Sequence, residues 1–175
     1  MLAAAVFAIY EAENAVPATA PADFTAGVIN GFNSDIDVHA LMMECFTPDQ
    51  EMADETDALI QALKDKKFDE VKDIVMKFEP KAIADTSKCM TDPKYADIKA
   101  AYENQAALVE KVKNDPDWQL HGIKSIRKSI PEIKESAKGA ISKWNSGDYY
   151  GAGQEIGNID AIVFSYWESN SAFLQ

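Results

Sequence analysis

Side chains able to do chemistry are few in this chain, and their spacing is poor. There are two histidines, His39 and His121, and two cysteines, Cys45 and Cys89. Asp35, Asp37 and His39 invite a metal reading, but their i, i+2, i+4 spacing suits a strand or loop better than one helix face. No glycine or terminal glutamate completes a calcium loop around them. GAGQEIG, Gly151 to Gly157, superficially matches a dinucleotide fingerprint. It has one residue too many before its last glycine, no strand ahead of it and no βαβ unit around it. Two histidines give thin support for a Ser-His-Asp or Cys-His set, and no HExxH or paired ExxH occurs. His121, beside Trp118 at a helix start, reads as a surface or partly packed residue. The carboxylates read as scattered along solvated faces. No catalytic residue, cofactor or metal is therefore assigned, and the chain is not expected to be an enzyme.

Cys45 and Cys89 lack the CxxC or Cys/His spacing of a zinc site. In a secreted helical protein two such cysteines commonly pair; in a reducing compartment they would be two buried thiols. The compartment is suggested by the first twenty residues. Met1 to Tyr10 is an apolar run, and Ala18-Thr19-Ala20 has the small-x-small form of a signal-peptidase site. The basic residues that usually precede such a run are missing, Pro21 fits poorly after the site, and a nearer cut around Ala8 to Glu13 is an alternative. The competing reading is a short docked helix over residues 1–15, through which alone membrane contact is expected. The division expected is thus residues 1–20 as a leader-like or docking segment and residues 21–175 as one helical domain. The secretory pathway is the expected compartment, with the mitochondrial intermembrane space as the alternative for a complex subunit.

Charge excludes one class of partner and suggests another. The net charge is −12, whereas nucleic acid needs a basic face. Residues 1–63 carry −11 with no Lys or Arg, residues 111–143 carry +4, and residues 144–175 carry −4. Either the acidic N-terminal third lies beside the basic stretch within one molecule, or acidic and basic faces meet between copies or subunits. Lys124, Arg127, Lys128, Lys134 and Lys138 form the candidate basic interaction face.

The elements that must carry these residues are helical, and no segment alternates with period two. Trp118, Ile123, Ile126, Ile130, Ile133, Ala137, Ile141 and Trp144 recur at helical steps and look like the stripe around which the chain is organised. Pro131 interrupts it, which predicts one kinked helix over 117–144 or two stacked end to end. Asp23 is placed to cap a helix through Phe32, and Thr47 to cap one from Pro48 with Gln50 completing a capping box. Phe68 to Phe78 reads as a further helix, as does a short piece carrying Cys89. Asp92-Pro93 opens a long helix ending at Asn114. A last helix runs from about Asp148 to Trp167. Gly27 and Gly31 make a GxxxG that lets another helix approach closely. Gly151, Gly153 and Gly157 lower the helicity of the last helix by roughly 1 kcal/mol each, a cost that usually marks close backbone approach. The clustered C-terminal aromatics could line a ligand pocket or simply seal the core. The fold class expected is all-α, an irregular bundle of about six to eight helices.

The motif DFTAGVINGF, the two cysteine-bearing helical segments and GDYYGAGQEIGNID resemble a group of small secreted two-cysteine helical proteins of ciliated protists. The matching positions are Phe24, Gly27, Gly31, Phe32, Cys45, Cys89, Tyr149, Gly153 and Gly157. The resemblance implies secretion, an all-helical fold and a Cys45–Cys89 disulfide; it implies no activity.

The function expected is a non-enzymatic structural or protein-interaction component, a subunit of a larger extracellular or organellar assembly. Its partners would be copies of itself or other subunits. The alternative is a carrier of a small apolar ligand inside the bundle. A closed apolar cavity would favour the carrier, and a filled core with apolar patches outside would favour the assembly component.

Overall fold

Four glycines set the arrangement of the chain. In the computed structural model, which describes residues 16–67 and 86–169, the first helix α1 (Ala20–Phe32) crosses the last, α8 (Tyr149–Ser169), with the two backbones in direct contact. A methyl group on Gly27 would overlap the Tyr150 carbonyl oxygen, and one on Gly31 the Gln154 carbonyl. From the other side, a methyl on Gly153 would strike the Phe24 carbonyl and one on Gly157 the Val28 carbonyl. Each helix thus presents a GxxxG to the other, the arrangement by which small residues let two helices touch backbone to backbone. Phe24 lies against Gly153 and Phe32 against Gly157, so the two helices run in the same direction. Gln154 Nε2 donates to Asn30 Oδ1 at 2.8 Å beside the crossing. Gly151 has another role: its N–H donates to the capping carboxylate of Asp148 at 2.9 Å, and a methyl there would meet that carboxylate, not another helix.

Between these two helices the chain makes α2 (His39–Cys45), α3 (Gln50–Lys64), α4 (Ser87–Thr91), a 3-10 turn at Pro93–Tyr95, α5 (Ala96–Asn114), α6 (Trp118–Lys128) and α7 (Ile130–Asn145). That is eight α-helices and no strand among the described residues, the irregular all-α bundle expected. The helix expected over Phe68 to Phe78, the apolar run Met1 to Tyr10 and the end beyond Ser169 lie outside the described residues.

Several boundaries move, for local reasons. Helix α1 begins a turn before Asp23, with Pro21 in its first turn, where a missing N–H costs nothing. Asp49, not Thr47, caps α3 by accepting from the Met52 N–H at 3.1 Å. Asp92 caps the 3-10 turn as expected, accepting from the Lys94 N–H at 2.9 Å. Residues 16–20 pack against α3: Ala20 is fully buried, the Val16 carbonyl accepts from Gln50 Nε2 and the Ala18 carbonyl from the Asp49 N–H. The run from Trp118 to Trp144 takes the two-helix form, divided at Ser129 with Pro131 in the first turn of α7.

Two core clusters lie on either side of the glycine crossing. One gathers Ala26, Ile29, Met42, Met52, Tyr95 and Ile98 around the disulfide between Cys45 and Cys89, whose Cα atoms are 5.2 Å apart. The other packs Phe24, Ile60, Trp144 and Ala152. Phe24 and Trp144 meet edge to face at 5.6 Å, and the Trp144 indole N–H donates to Asp57 at 2.7 Å, so this buried aromatic has a polar partner. Gly147, at φ +82°, makes the turn between α7 and α8. Lys143 then reaches Glu155 across the returning helix at 2.8 Å. No helix among the described residues is long and apolar enough to cross a membrane.

Candidate functional site

The stripe that looked like the organising core is its most exposed part. Helix α6 buries no residue fully. Trp118 is 50% exposed, Ile123 46% and Ile126 39%, and Leu120 and Ile130 beside them are also exposed. The reason lies in which face of α6 meets α8. His121 and Gly122 face that helix, with Gly122 able to accept a methyl in ordinary contact, 3.6 Å from Trp167. Trp118 and Ile126, one turn either side of Gly122, share its face and line the space between α6 and α8 without filling it, while Ile123 lies a quarter-turn further round. Burial of the run resumes only at Ala140 and Trp144, near the end of α7.

His121 is the anchor that holds this face in place. Its Nδ1 lies 2.6 Å from Asp115 Oδ2, and its ring stacks on Tyr166 at 3.9 Å between centroids. Asp115 Oδ2 also accepts from the Trp167 indole N–H at 2.8 Å, and Oδ1 from the Asp117 N–H at 2.9 Å. The hydrogen bond from His121, followed by those from the Asp117 backbone and the Trp167 indole, holds the Asp115 carboxyl below the ordinary range against the opposing effect of desolvation. One carboxylate thus ties the α5–α6 corner to the last turns of α8. His121 is a packed, positioned side chain, not a free base. His39 is held in the same manner at the other end of α8. Its Nε2 lies 2.6 Å from Asp23, and its ring stacks on Tyr150 at 4.4 Å. Asp37 accepts from the His39 backbone N–H at the start of α2, and the Asp35 N–H donates to Asn33. No three His, Cys, Asp or Glu side chains among the described residues could hold a metal.

Between α6 and α8 runs an apolar groove of about 340 Å³. Trp118, Ile123 and Ile126 form one wall, Val163, Phe164 and Trp167 the other, and Val112 lies at one end. The clustered aromatics therefore divide: Trp144 and Tyr149 pack in the core, whereas Trp118, Phe164 and Trp167 line the groove. Along its border Lys124, Arg127 and Lys128 are exposed, with Lys134 and Lys138 on α7. None of the five has an ion pair or hydrogen bond with a described residue. Among the described residues, none of these five side chains pairs with an acid of the N-terminal third. The N-terminal acids instead hold other partners, Glu44 with Lys94 and Asp57 with Trp144.

One residue was missed by the sequence reading. Asp160 does not lie on a solvated face. It lies in a second, half-open pocket of about 210 Å³ between α1, α5 and α8, with Val28, Phe32, Leu108, Val109 and Phe164. Burial pushes its carboxyl up to about 6. The signal was available: Asp160 stands alone in the apolar run Ile159 to Phe164, three residues after Gly157 and four before Phe164, on the helix face that meets α1.

No protein-family model, curated protein or solved structure matches the chain.

Proposed function

We propose that the chain is a non-enzymatic interaction component that docks a partner protein against the α6 face. The observation that carries this reading is a rigidly anchored helix with no fully buried residue, showing an apolar wall bordered by cations that have no partner among the described residues. Contiguous apolar surface rimmed by charge is the usual form of a protein interface. The partner surface that fits is apolar and acidic. The chain's own N-terminal third, at −11, has that charge, so a second copy is the first partner to test. The buried disulfide and the resemblance to secreted two-cysteine helical proteins support an oxidising compartment, the secretory pathway ahead of the mitochondrial intermembrane space.

The test is the native mass of unreduced protein from its own source, followed by the same measurement on Ile123→Glu/Ile126→Glu. Wild type is expected in a complex that dissociates as salt rises and the Debye length falls below about 10 Å. The double variant is expected to run as a folded monomer. An unchanged complex in the variant would overturn the reading. A second reading, a carrier of a small apolar ligand, is favoured by the 340 Å³ groove. It ranks lower because the groove is open along its length, whereas carriers enclose most of the ligand surface. A native monomer with a small molecule in the groove would reverse that order.

A further inference from the structure

The glycine crossing has a consequence where it ends. Helix α1 stops at Phe32, opposite Gly157, while α8 continues for three more turns. Beyond that point nothing from α1 covers α8. Phe32 meets Phe164 only edge to face, at 6.3 Å between centroids. The space left over is closed on its far side by Leu108 and Val109 of α5, and it forms the pocket that holds Asp160. Its two polar lining groups are the Asp160 carboxyl and the Gln105 amide.

Asp160 has no partner among the described residues: none gives it a hydrogen bond or an ion pair. A carboxylate among aliphatic and aromatic side chains loses hydration without compensation. That loss raises its pKa to about 6, and near neutral pH the group is still mostly ionised. Groups of this kind, costly to the fold and convergent on an apolar pocket, mark binding sites. A bare metal ion does not match: one carboxylate and one amide fall short of the oxygen set that calcium or magnesium requires. The complement of an apolar pocket with one anion at its wall is an apolar molecule with one cation.

We infer that the pocket between α1, α5 and α8 binds a small apolar monoamine, its ammonium against Asp160 and its hydrocarbon part among Val28, Phe32, Leu108 and Phe164. The volume of about 210 Å³ exceeds the roughly 150 Å³ that holds a benzene-sized guest, and it is below the range of drug-sized ligands. An aryl-alkyl or short alkyl amine has the matching size. The Gln105 carboxamide oxygen is available for a second N–H. This site shares Phe164 with the α6 groove but opens between other helices, and it does not depend on the docking reading.

The experiment is calorimetric titration of the full-length protein with phenethylammonium and with 2-phenylethanol, its neutral counterpart of nearly the same shape. The amine is expected to bind at least tenfold tighter than the alcohol. Asp160→Asn should erase that preference while keeping the helical circular dichroism of wild type. Val109→Trp, which fills pocket volume from the α5 wall and leaves Asp160 in place, should weaken both probes at least tenfold. Equal affinity for amine and alcohol in wild type, no binding of either, or an amine affinity unchanged in Asp160→Asn would each overturn the inference. A third probe, Nα-acetyl-lysine methylamide, separates the remaining source of ammonium. Tighter binding of it than of phenethylammonium would assign the pocket to a lysine of a partner protein and overturn the small-amine reading.

Discussion

Replacing glycine by alanine should change the stability of this protein in opposite directions at two positions of similar helical setting. In a helix interior alanine is favoured over glycine by roughly 1 kcal/mol, chiefly because it loses less backbone entropy on folding. At Gly122 the added methyl would meet Trp167 at 3.6 Å, an ordinary contact, so nothing opposes that gain. At Gly153 the same methyl would overlap the Phe24 carbonyl oxygen and come 3.0 Å from the Val28 nitrogen. Backbone cannot rotate away as a side chain can, so α1 and α8 would have to separate along the crossing. Overpacking against backbone that cannot give way costs about 2–3 kcal/mol, the upper part of the usual range. Against the propensity gain, Gly153→Ala should lose about 1–2 kcal/mol net, whereas Gly122→Ala should gain about 0.5–1 kcal/mol. Urea denaturation followed by circular dichroism reads both. With a slope near 2 kcal/mol per molar, the midpoint should fall by about 0.5–1 M in the first variant and rise by about 0.3–0.5 M in the second. A Gly153→Ala protein as stable as wild type would refute the backbone-to-backbone crossing, and with it the account of how α1 and α8 position the Asp160 pocket.

Cys45→Ala/Cys89→Ala should lower stability by about 4 kcal/mol in the chain-entropy account of a loop of this length, the cysteines being 44 residues apart. At 2–4 °C per kcal/mol that is a fall in Tm of about 8–16 °C by calorimetry, and a fall below about 2 °C would show that the loop is already restrained without the bond. Asp160 keeps its proton to about pH 6 in the folded protein and to about 4 when unfolded. The folded state therefore binds more protons between those values, and ionisation of Asp160 erodes stability as pH rises through that window. Asp160→Asn should consequently be more stable than wild type at pH 8 by up to about 3 kcal/mol and equal to it near pH 4; equal stability at pH 8 would show that the carboxylate is not desolvated.

How far the sequence could be read depends on whether a residue's surroundings are local. The helices among the described residues were legible because they are decided within a few residues: Asp92-Pro93 and Asn145-Ser146-Gly147 act where they stand, whereas Asp23 and Thr47 are not the caps expected. Gly27, Gly31, Gly153 and Gly157 announced close approach because their cost to a helix needs a tertiary reason, although the partner of each could not be named. Gly151 failed the same argument, since its neighbour is the cap of its own helix. The α6 stripe misled for a different reason. Period 3.6 identifies an apolar side, but not whether another element lies on it. His121 makes the α8 contact by stacking on Tyr166, and Trp167 lies over Gly122, while the apolar groove beside them stays open. Asp160 was hidden by composition: one acid among apolar neighbours reads as the solvated edge of a helix until α5 is seen across from it.

The two surfaces proposed as functional share an energetic character with few other places in the molecule. Glu55 Oε2 aside, the buried polar side chains of the described residues have partners: Thr56 donates to the Met52 carbonyl and Trp144 to Asp57. Asp115 collects three hydrogen bonds to hold His121 and Trp167 in place. A chain able to satisfy these groups leaves Asp160 unsatisfied and leaves Trp118, Ile123 and Ile126 half in water. Leucine or asparagine at 160, and polar residues at 123 and 126, would fold at least as well by the same rules. Departures from local consistency concentrate where a site is built for something outside the fold. The anchoring supports this, because the His121–Asp115–Trp167 network secures the helix whose own apolar face contributes least to the core. Such a network holds a binding face ready for a partner, so less ordering entropy is lost on docking. His121→Ala should therefore weaken partner binding while leaving Ile123 and Ile126 in place. If binding to the α6 face proved indifferent to that change, the anchoring would be a matter of stability alone.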